Sequence, residues 1–205
     1  MLYSLIDLLC CLVFALPLSW LLLAFCGNGN KKRFVLLGLF TIYMCEMFDV
    51  VGIPAVSYIR WEPSINLIPF GDEKNYRFFF QIGLNALMFL PFGFFLPVLW
   101  SKYRRWYRTI LAGFLTSLTI ELLQMFCYRA TDVDDLIMNT LGAFLGYLIA
   151  LVCFRKKWER EAEPDTGRLS QWGCLPVSIL IPLLVIVFLR TPLSNRIYAL
   201  RIFRN

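Results

Sequence analysis

The sequence predicts an all-α fold, a polytopic transmembrane helical bundle of five to six spans with the N-terminus outside. Its composition is the first reason: the chain of 205 residues is 59% hydrophobic with a mean hydropathy of +0.66, whereas a soluble domain is about 45–50% apolar. Several apolar runs also reach the roughly 20 residues that a bilayer requires. Basic residues alternate between successive loops, and this alternation predicts the orientation.

Six apolar runs give the candidate helices. They are Leu2–Phe25, Phe34–Ile53, Phe78–Trp100, Thr109–Cys127, Val133–Phe154 and Cys174–Leu189. The first is interpreted as a retained helix, because it carries Asp7 and lacks both the basic region and the cleavage site of a signal peptide. The sixth is short and contains Pro176 and Pro182. We favour a true span for it, and a re-entrant or interfacial segment is the alternative.

The runs divide the chain into four regions. Residues 1–54 hold two N-terminal transmembrane helices, and residues 55–154 form a core with three more. Residues 155–173 mix charges with proline and glycine and are predicted to be a cytoplasmic linker. Residues 174–205 hold a C-terminal hydrophobic segment and a basic tail. No internal repeat of the kind found in many transporters is visible.

The loops after the first, third and fifth runs are the basic ones. They carry Lys31, Lys32, Arg33, Lys102, Arg104, Arg105, Arg108, Arg155, Lys156, Lys157, Arg160 and Arg168, whereas the loops after the second and fourth runs carry only Arg60, Lys74, Arg77 and Arg129. The positive-inside rule places the first set in the cytoplasm and the loops at 61–77 and 128–132 outside.

The composition also excludes several classes of site. The chain has no histidine, the commonest general base and transition-metal ligand. Its seven cysteines are odd in number and contain no CxxC, so neither a disulfide framework nor a zinc site is indicated. We therefore expect no metal and no cofactor. The net charge of +6 is attributed to contacts with anionic lipid head groups, not to nucleic acid.

The polar residues inside the apolar background are concentrated in the stretch Glu121–Gly146. An ionisable residue at the centre of a membrane helix costs about 2.5–3.5 kcal/mol, so such residues mark functional sites. The fifth helix carries one stripe that is polar at its start and ends in GxxxG, formed by Asp132, Asp135, Asn139, Gly142 and Gly146. The glycines predict a close helix contact.

The helix rise predicts that the polar groups of several helices share one depth, in the outer half of the bilayer. They are Glu46, Asp49, Asn85, Glu121, Gln124, Asp135 and Asn139. Because lipid satisfies no hydrogen bonds, the sequence predicts that they meet in one polar cleft open to the outside. Arg129, in the short loop between the fourth and fifth helices, is placed to pair with a carboxylate.

Each of these residues also has a structural interpretation. Asp132 or Thr131 could cap the fifth helix, and the helix dipole favours Asp134 and Asp135 in its first turn. Glu121 could serve only as a hydrogen-bonding group between helices. For Glu46 and Asp49, which share a helix face, the structural and functional interpretations have equal weight.

Four segments in this order resemble the VanZ-like membrane proteins. They are SINLIPF (Ser64–Phe70), NALMFLPFG (Asn85–Gly93), ELLQ (Glu121–Gln124) and RATDVDDLIMNTLGAFLGY (Arg129–Tyr147). The resemblance implies a small multi-pass protein of the bacterial plasma membrane, from a family associated with teicoplanin resistance and without an established catalytic activity. The patterned positions would be Asn66, Pro69, Phe70, Asn85, Phe89, Pro91, Gly93, Glu121, Gln124, Arg129, Asp132, Asp135, Asn139 and Gly142.

The resulting functional hypothesis is a non-enzymatic envelope protein. It would bind a membrane lipid, a lipid-linked envelope precursor or a lipoglycopeptide in the outer-leaflet cleft, alone or as a homodimer. The candidate ligand-binding residues are Asn66, Asn85, Glu121, Gln124, Arg129, Asp132, Asp135 and Asn139. One alternative is a membrane enzyme acting on a lipid head group, with Glu121 or Asp135 as base and Arg129 orienting a phosphate or carboxylate. A small dimeric transporter is another.

Overall fold

The computed structural model describes residues 2–25, 31–56, 59–61, 64–71, 76–127, 131–160 and 174–190. These residues form six α-helices and two short strands. In chain order they are α1 (Leu2–Phe25), α2 (Lys31–Val50), β1 (Ile65–Asn66), α3 (Tyr76–Leu99), α4 (Trp106–Gln124), β2 (Thr131–Asp132), α5 (Val133–Arg160) and α6 (Cys174–Leu184). A 3-10 turn, Ser101–Arg104, joins α3 to α4.

The helices start and end close to where the apolar runs predict. Helix α2 ends at Val50, whereas the predicted run continues to Ile53. Gly52 explains this: its φ of 72° is left-handed, a conformation that glycine adopts easily after a helix end. The fifth helix extends beyond the predicted Phe154 and continues to Arg160.

The chain divides into two compact units. The first comprises Met1–Arg60 and Trp172–Asn205, and its helices α1, α2 and α6 contact one another. The core face of α2 presents Phe40, Met44 and Phe48, which are fully buried and recur at the spacing of one helix face. The last helix, α6, contains Pro182 and continues as a π-helical segment to Arg190.

The second unit, Trp61–Gln171, is built on a very close contact between α3 and α5. A Cβ atom added to Gly142 would lie 2.1 Å from the carbonyl oxygen of Ala86, and one added to Gly146 would lie 2.0 Å from that of Leu90. A Cβ atom added to Gly93 of α3 would lie 1.9 Å from the carbonyl oxygen of Ala143 on α5. The GxxxG prediction is therefore confirmed. Ala86 of α3 lies against Gly142 of α5, and Leu90, one turn later, lies against Gly146. The two helices therefore run parallel.

The remaining helix of this unit, α4, runs antiparallel to α5. Gly113 of α4 faces Ala143, whose Cβ would lie 2.6 Å from an added Cβ. Further along α4, Ser117 contacts Asn139, which lies earlier in α5. Short connections between successive helices produce such antiparallel neighbours.

The basic segments at 102–108 and 155–157 lie at the same end of the second unit. Arg104 stacks over the ring of Trp158, 5.3 Å from its centre, and its carbonyl oxygen accepts a hydrogen bond of 2.8 Å from the hydroxyl of Tyr147. The acidic start of α5 lies at the opposite end of that helix. The second unit is therefore polarised, with one basic and one acidic end.

Two of the described helical stretches are long and apolar enough to cross a bilayer, Phe78–Leu99 and Val133–Glu159. Leu8–Leu21 and Leu175–Leu189 are apolar but shorter. The helices of the second unit expose many large apolar side chains, among them Phe79, Phe80, Leu84, Leu87, Leu111, Leu115, Leu141 and Leu145. A helical, membrane-capable fold is therefore present, while the number of spans and the position of the N-terminus stay predictions.

The polarity of the second unit gives a direct test of orientation. A cysteine introduced at the exposed Ser64 is expected to react with an impermeant maleimide on intact cells, because the positive-inside rule places this end outside. A cysteine at the exposed Arg105 should react only after the cells are lysed. The unsubstituted chain, treated in parallel, gives the background from its own cysteines. Labelling of intact cells at position 105 and not at position 64 would show that the predicted orientation is inverted.

Candidate functional site

Two short strands connect the segment before α3 to the segment before α5. Strands β1 and β2 pair in parallel, with Ile65 opposite Thr131 and Asn66 opposite Asp132. The Thr131 N–H donates a 2.8 Å hydrogen bond to the carbonyl oxygen of Ser64. The sequence predicted no strand here, because a two-residue strand has no periodic signal. This bridge places the SINLIPF segment beside the first turn of α5.

Asp132 is the N-cap of α5. Its Oδ1 accepts the N–H of Asp134 at 2.9 Å, which satisfies one of the free N–H groups of the first turn. Its Oδ2 lies 3.4 Å from Nδ2 of Asn66. The capping interpretation of Asp132 is confirmed, and the same side chain also contacts Asn66, another candidate residue.

Asp134 holds the loop between β1 and α3. Its side chain is 1% exposed, and its two carboxylate oxygens lie 2.9 and 3.1 Å from the main-chain nitrogen of Phe70, which donates to them. Charge-assisted bonds of this kind are stronger than neutral ones. The sequence suggested only a helix-dipole role for Asp134, because no local pattern marks a partner 64 residues away.

The hydrogen bond from Phe70 belongs to an unusual turn. The Gly71 N–H donates to the carbonyl oxygen of Ile68 at 3.2 Å, with Pro69 in the second position and Phe70 in the third. Phe70 has a φ of 52°, in the left-handed region where glycine is the usual residue. Such a conformation costs about 1–3 kcal/mol and persists only where its surroundings enforce it. Asp134 and the ring of Phe78, 6.5 Å away in an edge-on contact, provide that constraint.

Glu121 ties the end of α4 to β2. It is 3% exposed, and its Oε2 accepts the Asp132 N–H at 3.0 Å. Its carbonyl oxygen accepts the hydroxyl of Thr131, also at 3.0 Å. The sequence placed Glu121 in one polar cleft with Asp135 and Asn139, which stays a prediction. The main-chain N–H that its carboxylate accepts could not be predicted, because residue type does not reveal such a partner.

Two further hydrogen bonds connect α5 to its neighbours. Nδ2 of Asn85 on α3 donates to Oδ1 of Asp135. Nδ2 of Asn139 donates to Oγ of Ser117 on α4 at 2.9 Å. Asn139 is 3% exposed, and its Oδ1 is buried without a hydrogen-bond partner among the described residues. The polar stripe on α5 therefore forms hydrogen bonds with two helices, through Asp135 with α3 and through Asn139 with α4.

The candidate residues thus gather near the end of the second unit where α5 begins. Asn66, Asp132 and Glu121 form one group, Asn85 and Asp135 a second, and Asn139 with Ser117 a third. Gln124 is buried near the end of α4. Arg129 lies outside the described residues. That these groups line one outward-open cleft stays a prediction. Thr131, Asp134 and Ser117 are contact residues that the sequence did not single out as candidates.

The chemistry of this end is that of hydrogen-bond acceptors. Carboxylates of Glu121, Asp132 and Asp134 accept main-chain N–H groups and so fix the backbone around them. Among the residues described, no group of three or more His, Cys, Asp or Glu side chains is placed to hold a metal ion. Asp135 is half-buried and less enclosed than Asp134, so it is the carboxylate better placed to meet a ligand.

Comparison with known proteins identifies relatives of this chain. A family profile described as VanZ/LLP1 matches residues 40–154, more than half of the sequence. Protein VanZ of Enterococcus faecium is 37% identical over 92 residues, which cover 40% of this chain and 50% of that protein. The chain therefore spans about half the length of that relative. No solved structure matches it.

Proposed function

The chain belongs to the VanZ/LLP1 family, and from this membership we propose a multi-pass protein of the bacterial plasma membrane that binds a lipid-linked or lipoglycopeptide ligand at its outer face. The family is associated with teicoplanin resistance. In this proposal the protein is not an enzyme. By binding lipid-linked molecules at the cell surface, it alters the access of lipoglycopeptides to that surface.

The observation that carries the proposal is the grouping of polar side chains at the acidic end of the second unit. Asn85, Asp135 and Asn139 sit on helices otherwise apolar enough to span a bilayer. Polar and ionisable side chains inside a membrane raise the free energy of insertion, and those that are present usually serve a function. Because the opposite end carries the basic residues, the positive-inside rule supports an outward position for this end.

The arrangement favours binding over catalysis. Glu121, the first candidate for a general base, is buried and accepts the main-chain N–H of Asp132. A base must reach the proton that it removes, and this carboxylate instead supports the backbone. Asp135, with its partner Asn85, offers an acceptor and an amide at the start of a membrane-capable helix. Such a pair suits recognition of an amine or hydroxyl on a ligand.

Removal of charge tests this function. In a host that expresses the protein, Asp135→Asn is expected to abolish most of the protection against teicoplanin while leaving the protein inserted and normally abundant, whereas Glu121→Gln, at the residue that supports the backbone, should retain most of it. The amides still accept the hydrogen bonds from Asn85 and Asp132, so a purely structural network would tolerate them. The measurement is susceptibility to teicoplanin compared with vancomycin, which lacks the lipid tail.

The control is Glu159→Gln, which neutralises an exposed acid paired with Arg155 at the basic end and should leave susceptibility unchanged. If Asp135→Asn kept full protection and abundance, this carboxylate would be structural and the site would be wrong. If the unsubstituted protein gave no protection, the resistance role would fail for this chain.

A further inference from the structure

Strand β1 and the loop that follows it towards α3 expose large apolar side chains. Leu67 is 72% exposed, Ile68 69%, Ile65 52% and Phe70 39%. All four lie within six consecutive residues, INLIPF. Loops that face water are usually built from small and polar residues, and a contiguous exposed apolar patch marks a site of interaction with a partner or a membrane.

Residues 66–71 of this loop are held in a fixed conformation. Oδ1 of Asn66 accepts the N–H of Ile68 at 3.2 Å, and the turn from Ile68 to Gly71 closes with a further hydrogen bond. The left-handed Phe70 is fixed by the buried carboxylate of Asp134. Apolar side chains on a loose loop would collapse onto the protein, whereas this framework keeps them directed away from it.

The apolar surface of the loop continues onto the side of α3. The ring of Phe70 contacts that of Phe78, which in turn contacts Phe79. Phe79 and the next residue, Phe80, are both more than half exposed. Through Asp134 the loop is also bonded to the first turn of α5. The loop therefore lies at the level where both membrane-capable helices begin.

We propose that this loop is a preformed wedge whose Leu67, Ile68 and Phe70 side chains insert into the acyl-chain region of the leaflet at which α3 and α5 begin. The inference rests on the proposed membrane location. Its partner is the lipid surface itself, because the apolar area is continuous with the exposed face of a membrane-capable helix. The carboxylate of Asp134, which bonds to this loop, does not face the lipid, because Asp134 is buried.

Insertion has a consequence for the candidate site. Asn66 and Asp132 lie at the base of the loop, and Asp135 follows in the same helical turn as Asp134. A wedge in the leaflet would hold these polar groups just beside the lipid head groups. A lipid-linked ligand could then present its head to the polar residues without leaving the bilayer.

Depth-dependent fluorescence quenching tests the wedge. An environment-sensitive fluorescent amino acid is introduced at Leu67, and separately at Ile68, in the full chain reconstituted into phosphatidylcholine nanodiscs. We expect a loss of fluorescence when the lipids carry bromine near the head-group end of the acyl chain, relative to unbrominated discs. Bromine near the terminal methyl group should quench less, and aqueous iodide should have little effect.

Two matched positions make the outcomes distinguishable. The fluorophore at Leu145, exposed in the middle of α5, should be quenched by bromine near the chain terminus, and that at the exposed Glu159 by iodide. If Leu145 is quenched by bromine but neither loop position is, the wedge is wrong and the membrane location stands. If Leu145 is not quenched either, the membrane location fails, and the wedge with it. Loop positions shielded from bromine and iodide alike would indicate cover by a second copy and overturn the proposal.

Discussion

Gly142→Ala is expected to disrupt the second unit, and Gly142→Leu to prevent its assembly. A Cβ at position 142 would lie 2.1 Å from the carbonyl oxygen of Ala86, well inside the contact distance of the two atoms, and main-chain atoms cannot move aside as side chains do. Even the methyl group must therefore separate α3 from α5. Overpacking of a close contact typically costs about 1–3 kcal/mol, and more where the obstacle is backbone.

The matched control for Gly142 lies on α3 itself. A Cβ added to Gly83 would meet nothing within 4 Å, so Gly83→Ala should fold normally and gain slightly from the higher helix propensity of alanine, by about 1 kcal/mol at most. The measurements are the yield of monodisperse protein in detergent and its thermal unfolding midpoint. Equal yield and midpoint for Gly142→Leu and Gly83→Ala would show that α3 and α5 do not pack as described.

Asp134→Ala is expected to release the loop between β1 and α3. The substitution leaves the N–H of Phe70 without its acceptor, a loss worth about 1–3 kcal/mol when the group is not fully solvated. It also removes the constraint on the left-handed backbone at Phe70. Amide hydrogen exchange at Ile68, Phe70 and Gly71 should accelerate strongly, together with a lower unfolding midpoint.

Two comparisons separate the hydrogen bond from the loss of charge. Asp134→Asn retains one oxygen acceptor and should accelerate exchange in the loop less than Asp134→Ala does. Glu159→Gln removes a charge from an exposed ion pair, which contributes about 0–1 kcal/mol, and should leave the loop unchanged. If Asp134→Ala exchanged no faster than the unsubstituted protein, the carboxylate would not be what holds the turn.

The sequence predicted the features that depend on pattern. Six apolar runs correspond to the six described helices, and the stripe on α5 that ends in GxxxG packs as its spacing indicates. The hydrogen bonds of that stripe, to Asn85 and Ser117, also join α5 to its neighbours. These features could be predicted because helical period, glycine spacing and hydropathy can each be read from one continuous segment of the sequence.

The features that the sequence did not predict depend on contacts between distant segments. The bond from Phe70 to Asp134 and the pairing of β1 with β2 both join residues more than sixty positions apart. The carboxylate of Glu121 accepts a main-chain N–H, and every non-proline residue offers one, so residue type does not identify the partner. The site was thus predicted as a set of residues, and its internal connections were not.

These connections change the roles of the candidate residues. Glu121, Asp132 and Asp134 hold the backbone between α4, β2 and the INLIPF loop. Asp135 and Asn85 are half-buried, whereas Glu121 and Asp134 are buried. In the proposed function the first group positions the second, so Asp135 and Asn85 are the residues whose substitution should reduce binding with the least effect on folding.

Native mass spectrometry of the purified protein tests the central claim most directly. The account predicts that a membrane lipid or a lipid-linked envelope precursor remains bound to the unsubstituted chain and to Gly83→Ala, and that its occupancy falls in Asp135→Asn although the protein stays folded. Added teicoplanin should compete with this lipid, whereas vancomycin should not. Equal lipid occupancy in all three proteins, unchanged by either antibiotic, would contradict the assignment of this end of the molecule as a ligand-binding site.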